Sequence, residues 1–381
     1  MPKIHHRSWS IEVTAAVVHE RGGPFRVERV ELAEPGPGEV LVRVAASGIC
    51  QTDVHARDGY FPIQYPAVYG HEGAGIVEQT GPGVEKVKPG DHVIMVFPSC
   101  GTCVYCVNGK PAYCLAASRL KHSGTRADGS TVMTLNGVPV FSCFFQQSSF
   151  ASFGLATEHN VVKVPEDLPL ELFAAFPCGI NTGAGAVLNV LRPQPGDPFA
   201  VFGSGTVGLA GLMAARVAGC EPIIAVDIHP NRLALARSLG ATHAIDAAGS
   251  DPVAEIRSIT RGLGVRVSLE AAGLPQTLRQ AFDCLQPMGI CCLLGSSRKG
   301  TEVSVGMNHL QNGRTVRGCI QGDSIPAQFI PQLIHLYRAG KLPIEPLVTF
   351  YDFTDINQAV ADSLAGKTIK PVLRLPNKKD R

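Results

Sequence analysis

Residues 199–208 read FAVFGSGTVG, and the fold is decided there. Four apolar residues give a short buried strand, Gly203, Gly205 and Gly208 supply a G-x-G-x-x-G spacing, and the apolar text beyond Thr206 and Val207 continues as a packed helix. Alone, that spacing is weak. Here a strand precedes it, a helix follows it, and Asp227 closes the next strand, IIAVD, 19 residues beyond Gly208. Glycines in this turn let backbone approach a pyrophosphate at a helix N-terminus, so Gly203, Gly205, Thr206, Val207 and Gly208 are candidate cofactor contacts. The Asp227 carboxylate can accept from both ribose hydroxyls and repels a 2'-phosphate, which favours NAD over NADP. Arg232 lies close by in sequence, is a further candidate contact, and tempers that preference.

Outward from this motif, apolar runs alternate with helical patterns from Asn181 to about Ile320: IIAVD then PNRLALARSLG, THAID then DPVAEIRSIT, VRVSLEAA then PQTLRQAFDCL, and GICCLLG. This is the rhythm of a doubly wound parallel sheet, a Rossmann domain. The run 198–215 is uncharged and long enough to prompt a membrane reading. Its four glycines, Gly203, Gly205, Gly208 and Gly211, fit a strand, turn and helix better, and no membrane span is expected.

Upstream, residues 11–47 alternate apolar and polar positions around PGPG, and VEKVKPGDHVIMV continues the pattern, as short antiparallel strands do. This part is β-rich and carries loops with ligand-type side chains. In GICQTDVHARDGYFPIQYPAVYGHEGAG, Cys50 and His71 stand among Thr52, Asp53, His55 and Glu72. A thiolate and a neutral imidazole suit zinc, and this density of polar groups suits a metal and its supporting residues better than a hydrophobic core. A catalytic site needs a third protein ligand from elsewhere. Cys100, Cys103, Cys106 and Cys114 follow at C-x2-C-x2-C-x7-C spacing, enough to close a second, structural zinc site on a loop with little core. The 119–150 stretch, rich in Gly, Ser and polar residues, reads as an ordered insertion with a hairpin.

GHEGAGIVEQTGPGV resembles the signature of the zinc-containing alcohol dehydrogenases of the medium-chain dehydrogenase/reductase superfamily, and the likeness runs over nearly the whole chain. The resemblance implies a GroES-like catalytic domain at 1–180 and 321–381 around an NAD-binding domain at 181–320. It implies Cys178, in FPCGINTGAG, as the third catalytic ligand, with the glycines and Thr after it permitting close approach. Cys2His is a ligand set already attached to alcohol dehydrogenases as a general rule. Thr52 then takes the alcohol proton, His55 passes it on, Asp53 orients His71, and Glu72 tunes the metal's charge. Two departures stand out: Pro177 replaces a frequent Gly before the cysteine, and Gln51 replaces an Arg or His that grips the pyrophosphate. Lys370, in GKTIK, remains as the cationic cofactor partner. FFQQSSFASF and GDSIPAQFIPQLI look like the aryl-alcohol branch, which also covers allylic alcohols, and Phe97, Phe144 and Phe145 are expected to make its pocket apolar.

With 34 basic and 32 acidic residues the chain has no excess charge for nucleic acid, so a small molecule is the expected partner, and the resemblance implies that it is an alcohol or aldehyde. Twelve cysteines without a secretory leader point to reduced thiols, metal sites and the cytoplasm. His5 and His6 read as part of a mobile N-terminal segment. By analogy with relatives that carry the insertion, a homodimer is expected, with a tetramer as the alternative. Two other functions compete with the alcohol dehydrogenase reading. A thiol-adduct formaldehyde dehydrogenase needs cations in the pocket, and a noncatalytic binding module would have lost a zinc ligand or Thr52, whereas none is lost.

Overall fold

The computed structural model describes residues 10–376, so His5 and His6 lie outside the described residues. The described chain forms two compact units: one runs to Cys178 and resumes at Val348, and the other spans Gly179–Leu347. The segment 321–347, expected with the catalytic domain, belongs to the second unit instead. Asn181 Nδ2 donates to Gln321 O at 2.9 Å and Asn189 Nδ2 to Gly322 O at 3.0 Å, which ties the start of that segment to the helical turns after Gly179. The helix Pro326–Arg338 therefore closes this unit.

In the first unit, strand Ser10–Val18 pairs antiparallel with Arg26–Ala33. The strand Glu39–Gly48 is the centre of a second sheet, with Gly73–Thr80, Phe153–Thr157 and the returning strand Lys370–Arg374 all antiparallel to it. Val372 lies opposite Gly48 in that pairing, so the chain's last strand is registered against the residues that lead into Cys50. The expected hairpin in the insertion is Met133–Leu135 with Val138–Val140. Asn136 and Gly137 both take positive φ between them, as a two-residue hairpin turn requires.

The second unit holds a six-stranded sheet, every neighbouring pair parallel. Spatially the strands run His243–Asp246, Ile223–Asp227, Phe199–Phe202, Val265–Glu270, Leu285–Leu293, Thr315–Gly318. In chain order this is 3-2-1-4-5-6, the dinucleotide-binding arrangement, whose ligand crevice lies where the winding reverses, beyond the end of the Phe199–Phe202 strand. Pro230, Pro252 and Pro275 each open a helix, where a missing N–H costs nothing. The uncharged 198–215 run is a strand, a glycine turn and the 12-residue helix Thr206–Val217, and no helix among the described residues is long and apolar enough to cross a membrane.

Gly208 fixes how closely that helix meets its strand, because a Cβ there would lie 1.8 Å from Gly203 O. Gly208→Ala is therefore expected to destabilise the protein by about 1–3 kcal/mol, measured by chemical denaturation. An unchanged midpoint would show that the turn tolerates a side chain.

Candidate metal and cofactor sites

Cys50 caps the short helix Gln51–Arg57, and its N–H donates to Asp53 Oδ2 at 3.0 Å, which closes the turn on itself. The other oxygen, Asp53 Oδ1, accepts from Gly70 N at 3.2 Å and lies 2.8 Å from His71 Nδ1. An ionised carboxylate only accepts, so the imidazole proton belongs on Nδ1 and the Nε2 lone pair faces away. His71 Nε2 is buried and has no hydrogen-bond partner among the described residues. Burial would lower the His71 pKa, but Asp53 holds it up at about 10.

The third donor, Cys178, lies on the wide helical turn Phe176–Ile180, with its sulfur 3.9 Å from Cys50 Sγ. Two sulfurs each ~2.3 Å from a tetrahedral zinc lie roughly 3.8 Å apart, so the pair is spaced for one ion. Ligand atoms of Cys50, His71, Glu72 and Cys178 all fall within 4.8 Å of one another. The hydrogen bond with Cys178 holds the Cys50 thiol well below its ordinary range, and the same bond, with burial, pushes Cys178 up. Two thiols and an imidazole that share protons this closely suit displacement of those protons by a divalent cation. The expected site residues Cys50, His71, Cys178, Asp53 and Glu72 are thus brought together. Thr52 Oγ1 is 3.7 Å from Cys50 Sγ, and His55 follows one turn later, its ring stacked on Tyr60 at 4.2 Å.

Glu72 is fully enclosed, and its counter-ion corrects an expectation. Lys370, expected to reach the cofactor, instead donates to Glu72 Oε1 at 2.8 Å, to Oε2 at 2.6 Å and to Ile49 O at 3.2 Å. Its ammonium has three donors, all three are used, and the side chain is 2% exposed. Gly48 makes room for the pair, since a Cβ there would lie 2.1 Å from Glu72 Oε2. The cause is electrostatic: a carboxylate removed from water next to two thiols needs a full positive charge beside it. Nothing in the sequence marked this pairing, because its members lie 298 positions apart.

Cys100, Cys103, Cys106 and Cys114 also fall within 4.8 Å of one another, with Cys100 and Cys106 sulfurs 3.9 Å apart and Cys103 and Cys106 3.5 Å apart. Cys103 N donates to Cys100 Sγ at 3.3 Å and Cys100 N to Cys114 Sγ at 3.2 Å, contacts that stabilise thiolates. Backbone N–H groups of Thr102 and Cys103 bring the Cys100 pKa down to about 6. Val104, Val107 and Leu115 of the same loop are exposed, so the loop has little apolar packing to hold its shape.

In the second unit, Asp227 is committed to backbone before any ligand arrives. Oδ2 accepts from Ser204 N at 2.6 Å, and Oδ1 from Ile228 N at 2.8 Å and His229 N at 2.9 Å. These bonds set the Gly203–Gly208 turn and leave lone pairs for hydroxyl donors. Arg232 Nη1 stands 4.0 Å away. Gly205 heads the helix Thr206–Val217 without a side-chain cap, and a Cβ on it would meet nothing within 4 Å. Open space before the first turn of that helix fits a pyrophosphate.

A ring wall flanks the first cluster. The Phe145 centroid is 4.6 Å from that of His71, Phe144 is 5.9 Å from His71, and His122 is 5.9 Å from Phe145 and 4.2 Å from Phe61. Phe144 and Phe145 are among the expected aromatic residues and, like Phe97, are buried in the core of the same unit. Phe61, in the stretch before His71, and Lys121 and His122, in the insertion, have no sequence spacing that distinguishes them from surface residues.

Residues 36–166 match the alcohol dehydrogenase GroES-like domain, and residues 206–338 match the zinc-binding dehydrogenase domain. A geraniol dehydrogenase from Castellaniella defragrans is 43% identical over 95% of this chain and 98% of its own. An alcohol dehydrogenase zinc-binding domain protein from Burkholderia ambifaria superposes with a TM-score of 0.95 at 49% identity, covering 97% of this chain and 100% of that one. The crystal structure of benzyl alcohol dehydrogenase from Acinetobacter calcoaceticus does so at 0.93 and 42%, covering 96% and 100%.

Elemental analysis is expected to give two zinc ions per chain, falling to one in both Cys103→Ser and Cys178→Ser. The first should also lower Tm, because it opens a loop without a core of its own, while the second should mainly lose activity. Equal loss of Tm in both would contradict separate roles. Gly205→Ala is expected to leave stability within about 0.5 kcal/mol, since the site is open, but to weaken NADH binding measured by fluorescence titration.

Proposed function

The chain belongs to the zinc-containing alcohol dehydrogenases of the medium-chain dehydrogenase/reductase superfamily, and from that membership we propose how its own residues carry the reaction. It is a zinc-dependent oxidoreductase that interconverts a primary alcohol and its aldehyde, with NAD and two zinc ions as cofactors. A zinc ion at the three-donor cluster supplies Lewis acidity that makes an alcohol more acidic, and NAD supplies the hydride acceptor. The observation that carries the reading is the buried, unpartnered Nε2 of His71, fixed in that role by Asp53 and set beside two sulfurs spaced for one ion.

In this reading Cys50, His71 and Cys178 hold the catalytic zinc and Cys100, Cys103, Cys106 and Cys114 the structural one. Thr52 accepts the proton of the alcohol, supported by its hydroxyl 3.7 Å from Cys50 Sγ, and His55 hands it on toward solvent. Asp53 keeps the His71 tautomer that a metal needs. Glu72 adds negative charge beside the donors, and Lys370 limits that charge. Gly203, Gly205, Thr206, Val207 and Gly208 hold the pyrophosphate, and Asp227 the ribose, with Arg232 at its edge. Gln51 cannot replace the missing cation, and Lys370 is committed elsewhere, so the pyrophosphate depends more heavily on backbone amides.

The substrates are aryl or allylic alcohols. Support comes from the ring wall of Phe144, Phe145, His122 and Phe61, and from relatives named for geraniol and benzyl alcohol. The thiol-adduct formaldehyde reading is not favoured by those relatives. A homodimer in the cytoplasm remains the proposal for assembly and location; all twelve cysteines are unpaired by disulfides, as reduced surroundings would leave them.

Apolar burial contributes about 25 cal/mol per Å², so a ring or a terpene chain gains far more from this wall than two carbons do. Benzyl alcohol and geraniol are expected to exceed ethanol at least tenfold in kcat/KM, followed through NADH absorbance with NAD. Ethanol equal to benzyl alcohol would overturn the substrate class.

A further inference from the structure

The helix Ala117–His122, in the loop between the two cysteine sites, delivers two polar groups to the ring wall. His122 stacks on Phe61 with centroids 4.2 Å apart and planes 12° apart, and meets Phe145 edge-on at 5.9 Å. The Lys121 ammonium lies 5.5 Å from the Phe145 centroid. Phe145 in turn lies 4.6 Å from His71, so the cation stands one aromatic ring beyond the imidazole that faces the metal position. Neither side chain is fully enclosed, so a ligand can reach both.

Lys121 makes no ion pair or hydrogen bond among the described residues; its partner is the Phe145 ring. Burial pushes its pKa down, with only the distant sulfurs of Cys178 and Cys114 acting against this. Burial, reinforced by Lys121, brings His122 down to about 4, so the imidazole is neutral at physiological pH. An ammonium offers donors only, whereas a neutral imidazole offers an acceptor as well. A desolvated cation without a counter-charge gains most from a ligand oxygen that brings electron density to it.

Resting on the aromatic-substrate reading above, we propose that Lys121 and His122 form a polar subsite at the far end of the ring wall that selects aryl alcohols bearing a ring hydroxyl remote from the hydroxymethyl group. The phenolic oxygen accepts from Lys121, and the phenolic hydrogen is donated to His122 or shared with water. An unsubstituted benzyl ring or a terpene chain covers the wall but leaves the cation unmatched.

The test compares 4-hydroxybenzyl alcohol with benzyl alcohol, and both with ethanol, on the zinc-loaded enzyme with NAD. Calorimetric binding of the two aryl alcohols to the same protein without NAD supplies a second readout. The parent is expected to favour the hydroxylated ring by about tenfold in kcat/KM and in Kd, the worth of one charge-assisted hydrogen bond. Lys121→Met should bring both ratios to about one, and Lys121→Arg, which keeps the charge, should retain most of the preference. Loss of folding is checked by the melt of each variant, and the ratio from Lys121→Arg stands if Lys121→Met fails to fold. Benzyl alcohol well above ethanol without a hydroxyl preference, or a preference that survives Lys121→Met, overturns the subsite alone. Benzyl alcohol no better than ethanol overturns the aromatic-substrate reading and the subsite with it.

Discussion

The buried ion pair between Glu72 and Lys370 is the constraint on which the first unit depends. Glu72 has no exposed side-chain surface, it neighbours two thiols and an imidazole, and its charge is met by an ammonium with 2% exposure. Removing one member of such a pair costs about 3–5 kcal/mol, because the other is left charged and dry. The pair therefore requires the last strand, Lys370–Arg374, to lie against Glu39–Gly48 in the register that sets Val372 opposite Gly48. The same register carries Ile49 O to the third donor of Lys370, immediately before Cys50. Ligand geometry and chain return are in this way one problem with one solution.

Under the proposed roles, the two cysteine clusters differ in how their donors are held. The four-cysteine loop is self-contained: its donors span 15 residues, its backbone N–H groups point at its own sulfurs, and exposed Val104, Val107 and Leu115 leave it without a core. Four donors fill a tetrahedron and leave no position for chemistry. At the other site the donors Cys50, His71 and Cys178 come from three separate segments, Asp53 holds both the Cys50 N–H and the His71 ring, and Lys370 meets the charge of the adjoining Glu72. Under that assignment three donors would leave the fourth position for substrate.

What was legible in the sequence is what depends on local spacing. The glycine motif, the strand-helix alternation and the four-cysteine run each lie within a few tens of residues, and the 3-2-1-4-5-6 sheet follows from them. Cys50 and His71 were legible because polar residues crowd around them. Pairings across the chain were not. A lysine in GKTIK reads equally well as a cofactor contact or as a counter-ion, and only burial decides between them. Asp227 illustrates a milder form: its place at the strand end was legible, but its three backbone bonds, which set the glycine turn, appear only in three dimensions.

The insertion shows why substrate choice is harder to read than chemistry. Zinc ligands and the tautomer of a ligating histidine are fixed by what a metal requires, so few residue types serve. A pocket wall can be built from many side chains, and here a run of four neighbouring rings, Phe61, His122, Phe145 and His71, passes through residues with no shared spacing. The helix Ala117–His122 carries Lys121 and His122 into that run only because the loop leaving Cys114 turns back toward Phe144 and Phe145, where Gln146 Nε2 binds Leu120 O at 3.3 Å. Under the proposed roles, the four-cysteine loop also bears on specificity, because its end at Cys114 leads into the segment that carries Lys121 and His122 to the rings.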